Sequence, residues 1–232
     1  MTHQKYLIER LKEASMLSSC MPEYAEESRQ LELGAPLYAE THFFAQILSL
    51  FSNESEWPVE QLRTFPAPVM VDYLTSTHRS YLNKRLPEIE QLLEQLAAEP
   101  GELSATLAGV FSWLRKNMEK HFRIEEQSLF PYVELLDKIR KGSEEVQELQ
   151  KAFRDFSVQR FIENHQDEVE NKLSEIKKYI VCSLSDMEAL LPYRILLLKL
   201  DLLEKDLRIH ARVEDEVLVP LALSWEKTLG RR

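Results

Sequence analysis

Four histidines, His78, His121, His165 and His210, recur along this 232-residue chain at intervals of 43, 44 and 45 residues. Two of them open matching strings, HFRIEEQSLFP from His121 and HARVEDEVLVP from His210. Counting on from each histidine, both strings have Glu at the fourth position, apolar residues at the eighth and ninth, and Pro at the tenth. A period of this length fits one helix up, a loop and one helix back, so the chain reads as a duplicated helical hairpin. Residues four apart share one face of a helix. His121 with Glu125, and His210 with Glu214, therefore point to one side. In an antiparallel bundle the near-constant spacing brings all four histidines into one layer.

The remaining sequence agrees with helix. Leu, Glu, Lys, Gln and Ala dominate its long runs, and only five glycines occur, against a usual share of about 7%. With 44% hydrophobic and 29% charged residues the chain can bury a core. Residues 4–17 are expected to form an amphipathic helix, with Tyr6, Leu7, Leu11 and Ala14 near one face. Residues 36–52 read as a second, more apolar helix, and Trp57-Pro58 opens a short helical turn. Phe65-Pro66-Ala67-Pro68 breaks the chain and separates an N-terminal helical extension, 1–66, from a main domain, 67–232.

Four long helical segments are expected in that domain. The first spans about 69–98, closed by Pro100-Gly101. The second spans about 103–139, kinked or restarted at Pro131 and ended by Lys141-Gly142. The third spans about 143–181, with Ser143 as N-cap and a break near Phe156-Ser157. The fourth spans about 185–230, with Pro192 near its start and Pro220 near its end. Short connections favour antiparallel neighbours, so the fold class is all-α, an up-down-up-down four-helix bundle.

Such a bundle would bury four imidazoles and two carboxylates among leucines. Burying unpaired carboxylates costs several kcal/mol each, and without a metal the imidazoles are expected to protonate to pair with them. A metal pair removes the conflict. Neutral imidazole suits iron, carboxylate oxygen can bridge two cations, and about two positions stay open on each octahedral ion. Zinc or manganese can substitute, because affinity order alone does not select iron. The Glu-x-x-His order of ferritin-like oxidases is reversed here. Glu126, Asp167, Glu168, Asp215 and Glu216 flank the candidates and are expected on a solvated face, with Asp167 or Glu168 able to orient an imidazole. Tyr73 and Tyr81 read as core packing, and His3 and His42 lie outside the repeat.

The strings THRSYLNKRLPEIEQLL, EKHFRIEEQSLFP, ENHQDEV and IHARVEDEVLVP, spread over about 67–222, resemble hemerythrin-like proteins of the HHE cation-binding type. The pattern is most similar to the bacterial di-iron proteins that repair iron centres. The resemblance implies a hemerythrin-like bundle holding two iron ions, with His78, His121, His165 and His210 as ligands and Glu125 and Glu214 as bridges. It also implies handling of nitric oxide, oxygen or labile iron under oxidative or nitrosative stress, including iron–sulfur cluster repair, with an electron donor or an iron–sulfur protein as partner. The alternative is an O2, NO or iron sensing or storage module that acts through a protein partner without turnover. Two departures stand out. Only Cys20 appears where relatives carry adjacent cysteines, and Arg79 follows His78 where relatives often have a second histidine.

The net charge of −10 without a basic stripe argues against nucleic acid and anionic membranes as partners. No window of about 18 apolar residues occurs, and the start lacks a signal-peptide pattern. Two cysteines far apart, Cys20 and Cys182, fit reduced thiols and a cytoplasmic location. No phosphate-cradling glycine loop or Ser-His-Asp arrangement is evident, so hydrolase and kinase chemistry have little support.

Overall fold

Every described element of the chain is helical. The computed structural model describes residues 35–52, 57–96, 102–142, 151–152, 156–164, 169–183 and 191–229. The helix expected over 4–17, Cys20, Ser143 and His165 lie outside the described residues. The chain divides into two compact units between Met70 and Val71.

In the first unit, α1 (Ala35–Ser52) buries Phe43, Ile47 and Leu50. Their four- and three-residue spacing makes one helical stripe. Phe43 meets Phe44 and Phe65 edge-on, at 6.2 and 5.3 Å between ring centres. The turn after Trp57-Pro58 is α2 (Val59–Leu62). His42 is exposed beside Phe65.

The second unit is built from α3 (Ala67–Ser80), which begins before the division, α4 (Leu86–Leu96), α5 (Glu102–Ile124), α6 (Phe130–Arg140), α7 (Val158–Asn164), α8 (Val169–Ser183), α9 (Leu191–Arg212) and α10 (Val219–Leu229). Helix α4 packs on α5 and α9, and α8 packs on the same two, which closes a ring of four helices. Their apolar stripes meet in one core: Ile89 and Leu93 from α4, Phe111, Leu114 and Met118 from α5, Leu173 and Ile176 from α8, Leu196, Leu200 and Leu203 from α9. Helix α6 packs on α10 at the other end, beside α7. Helix α6 stops where Gly142 takes a φ of 74°, a conformation that favours glycine, and donates its N–H to the Ile139 carbonyl. The break expected near Phe156-Ser157 is present, and Ser157 caps α7 by accepting the Arg160 N–H at 3.2 Å.

The prolines act differently from the kink or restart expected at Pro131. Three short π-helical turns, π1 (Tyr81–Arg85), π2 (Glu125–Leu129) and π3 (Val213–Leu218), interrupt the α-helical winding. Each ends one residue before an X-Pro pair: Leu86-Pro87, Phe130-Pro131 and Val219-Pro220. A mid-helix proline lacks its N–H and its ring clashes with the carbonyl four residues back. Those carbonyls belong to Asn83, Gln127 and Glu216, all inside π turns. A wider turn moves each away from the ring, so the helix runs through instead of breaking. The π turns begin just after His78, His121 and His210, and they carry Tyr81, Glu125 and Glu214. Single π turns inside α-helices are frequent at functional sites.

Candidate metal centre

His78 comes from α3, His121 from α5 and His210 from α9, while Glu125 opens π2 and Glu214 lies in π3. His78, Glu125, His210 and Glu214 are all buried. His78, Glu125 and His210 each offer a ligand atom within 4.8 Å of the other two. The Nε2 atoms of His78 and His210 are 3.2 Å apart. The Glu125 carboxylate turns one oxygen to each of two imidazoles: Oε2 lies 3.1 Å from His78 Nε2 and Oε1 lies 2.7 Å from His121 Nε2. Glu214 Oε2 stands 3.9 Å from His210 Nε2. Five of the six side chains singled out in the sequence thus form one connected group. The sixth, His165, lies outside the described residues.

The imidazole protons are set by groups the spacing pattern did not reveal. Glu126 Oε1 lies 2.9 Å from His78 Nδ1. A carboxylate only accepts, so His78 carries its proton on Nδ1 and its Nε2 is bare. Burial, reinforced by the charges of His210 and then His121, pushes the His78 pKa down to about 2. His210 is pushed down to about 3, again first by burial and then by His121. From the sequence, these imidazoles are expected to protonate in the absence of metal. Burial makes both rings neutral instead, because desolvation and mutual repulsion outweigh the carboxylates. The ring of His78 is also held in plane. It stacks on Phe122 at 3.9 Å and 10°, with Phe130 beyond at 5.7 Å.

Thr77 governs His210. Its Oγ1 lies 2.7 Å from both the Leu74 carbonyl and His210 Nδ1, and it has one proton. Given to Leu74, that proton leaves His210 Nδ1–H as donor to Thr77 and bares His210 Nε2. Given to Nδ1, it places the ring proton on Nε2, where it reaches toward His78 Nε2. The first arrangement presents two bare nitrogens to one point and suits a cation. The second closes the nitrogen pair without one.

The remaining flanking residues divide. Glu126 is exposed, as expected of a solvated face, and in addition accepts from His78; its pKa is raised, chiefly by burial, with Arg79 opposing. Glu216 pairs with Arg212 at the surface and Asp215 is exposed, as expected. Asp167 and Glu168 lie outside the described residues. Tyr73 and Tyr81 are buried beside the His210 ring, at 6.5 and 5.8 Å between ring centres. Both hydroxyls are pushed far up, first by burial and then by Asp206, so they stay protonated. The only sequence signal for Thr77 and Glu126 is adjacency to a candidate ligand.

One contact decides what this donor set fits. His78 Nε2, neutral and bare, faces a Glu125 carboxyl oxygen at 3.1 Å. A lone pair and a carboxylate oxygen at that distance repel unless a proton or a metal cation stands in reach of both, and both groups are of the kind that ligates a cation. The family model for the hemerythrin HHE cation binding domain matches residues 69–222, about two thirds of the chain. The chain belongs to the hemerythrin HHE cation-binding family. The matched segment contains all six candidates in sequence, and the cation the family's members typically bind is iron. No match is found among curated proteins or among solved structures. None of the described helices in the HHE domain or before it is long and apolar enough to cross a membrane.

Proposed function

We propose that this HHE domain holds two iron ions between the imidazoles of His78, His121, His165 and His210 and the carboxylates of Glu125 and Glu214. The observation that supports a pair is the Glu125 carboxylate, whose two oxygens address two different imidazoles. A buried carboxylate serving one ion has no need to split its oxygens in this way. The proposed role is handling of O2, NO or labile iron under oxidative or nitrosative stress, including supply of iron to damaged iron–sulfur clusters. When bound, the iron pair supplies one-electron redox chemistry and open coordination positions for a diatomic ligand. The chain's own part is positional. Glu126 and Thr77 hold the Nδ1 protons, so that Nε2 lone pairs face inward. Phe122, Phe130 and Tyr81 pack around the imidazoles and keep water from them.

Metal analysis of the purified chain tests the centre, and NO or O2 consumption with an electron donor tests the role. About two irons per chain, lost in Glu125→Ala, with consumption beyond one ligand per centre, is the expected result. Stoichiometric binding without further consumption assigns a sensing or storage module. Unchanged iron content in Glu125→Ala removes the ligand assignment.

A further inference from the structure

Asp206 is buried four residues before His210 on α9, outside the six candidate ligands. Across from it, Thr77, Tyr81 and Arg85 are four residues apart and share one face of the continuous helix formed by α3 and π1. That face runs antiparallel to α9. Thr77 Oγ1 meets His210 Nδ1 at 2.7 Å, and further along Arg85 Nη2 meets Asp206 Oδ2 at 2.7 Å. Tyr81 falls between these two contacts, fully buried, with its ring crossing that of His210 at 72°. Its hydroxyl lies beside Thr77 and Asp206 and interacts with each, although neither contact closes to full hydrogen-bond geometry. Burial raises the Asp206 pKa, Arg85 and then the Tyr81 hydroxyl oppose the rise, and the ion pair keeps the group a carboxylate. One buried line thus runs from His210 through Thr77, Tyr81 and Asp206 to Arg85 at the surface.

We propose that Asp206 is a positioning residue for the metal centre, which through Tyr81 and Thr77 fixes the ring proton of His210 on Nδ1. A carboxylate accepts and never donates. At the end of the line it draws the Tyr81 proton, because an O–H bond to an anion is stronger than one to a neutral acceptor. The Tyr81 oxygen then turns lone pairs to Thr77. The Thr77 proton goes to that oxygen or to the Leu74 carbonyl. In both cases Thr77 keeps only a lone pair for His210, which must supply the proton from Nδ1. Every donor in the line points toward Asp206, each strengthening the next, and Nε2 is left bare. The carboxylate so selects one of the two arrangements that Thr77 by itself allows. His78 and His210 are then oriented by the same device at different range, Glu126 directly for one and Asp206 through two hydroxyls for the other. The value of this to the protein rests on His210 being a ligand of the proposed centre.

Imidazole nitrogen NMR spectra of the metal-free full chain test this, with the His210 signals assigned by their loss in His210→Gln and helix content verified by circular dichroism. The unaltered chain should show the His210 proton on Nδ1. Asp206→Asn should bring in the form with the proton on Nε2, because an amide can donate as well as accept and so releases the direction of the line. Asp206→Glu, which keeps the carboxylate, should retain the Nδ1 form. Tyr81→Phe should act as Asp206→Asn does while the Asp206–Arg85 pair stays intact, and it carries the test where Asp206→Asn fails to fold. A His210 proton on Nε2 in the unaltered chain overturns the proposal. So does an Nδ1 form that persists in both Asp206→Asn and Tyr81→Phe, the result for an ion pair that only ties π1 to α9. Zinc affinity in chelator competition should fall about tenfold in these two variants. A chain that takes up no metal at all strikes the proposed centre instead, and the tautomer of His210 still decides the role of Asp206.

Discussion

Two buried carboxylates of the bundle show what separates a structural acid from a site. Glu226, on α10, accepts the Tyr132 hydroxyl at 2.9 Å and the Val158 N–H at 3.0 Å. Every one of these contacts runs from donor to acceptor. The Tyr132 hydroxyl is pushed up by burial and then by Glu226, so it keeps the proton it donates. That carboxylate ties α10 to α6 and to the first turn of α7. Glu125, equally buried, faces a bare imidazole nitrogen. Burial is therefore not what marks a functional carboxylate. The mark is the kind of partner: imidazole nitrogens that can ligate a cation in one case, committed O–H and N–H donors in the other.

The sharpest way to break this comparison is to delete each acid in turn. Glu125→Ala should empty the centre of iron, read by metal analysis, while the metal-free chain melts no lower than before. Glu226→Ala should do the reverse. Iron content stays, but two buried donors lose their acceptor, and stability should fall by about 3 kcal/mol in urea unfolding. If Glu125→Ala instead destabilised the metal-free chain as much as Glu226→Ala, the two acids would be alike and the contrast would fail.

A subtler substitution sharpens it. Thr77→Val removes the hydroxyl that lets His210 bare its Nε2, at almost constant shape. Metal affinity should drop about ten- to a hundredfold in chelator competition, with Thr77→Ser recovering most of it. Acid tests the burial of the two rings directly. His78 and His210 have folded-state values near 2 and 3, below the unfolded value of about 6.5. Below that value the unfolded chain takes up protons that the folded chain refuses, so stability falls as pH falls. The metal-free protein should lose about 1.4 kcal/mol per histidine per pH unit on going from about pH 6 toward 4. His210→Gln should shed its share of that slope in thermal melts.

Much of this architecture is legible in sequence because it is periodic. The apolar stripes, the Lys141-Gly142 stop and the Phe156-Ser157 break are local signals, and so is the four-residue spacing that pairs His121 with Glu125. The π turns were not read, although their cause, a proline at the tenth position after His121 and His210, was visible. A proline states that a helix cannot continue unchanged. Whether it breaks or widens depends on what packs around it.

Helix period and hairpin length are properties of the chain alone, so the helical segments and a shared height for His78, His121 and His210 could be read without coordinates. What the coordinates add is that the His78 and His210 rings are neutral and which groups meet their Nδ1 atoms. Those depend on partners from other helices, Glu126 for His78 and Thr77 for His210, and on the depth of burial, which no local pattern encodes.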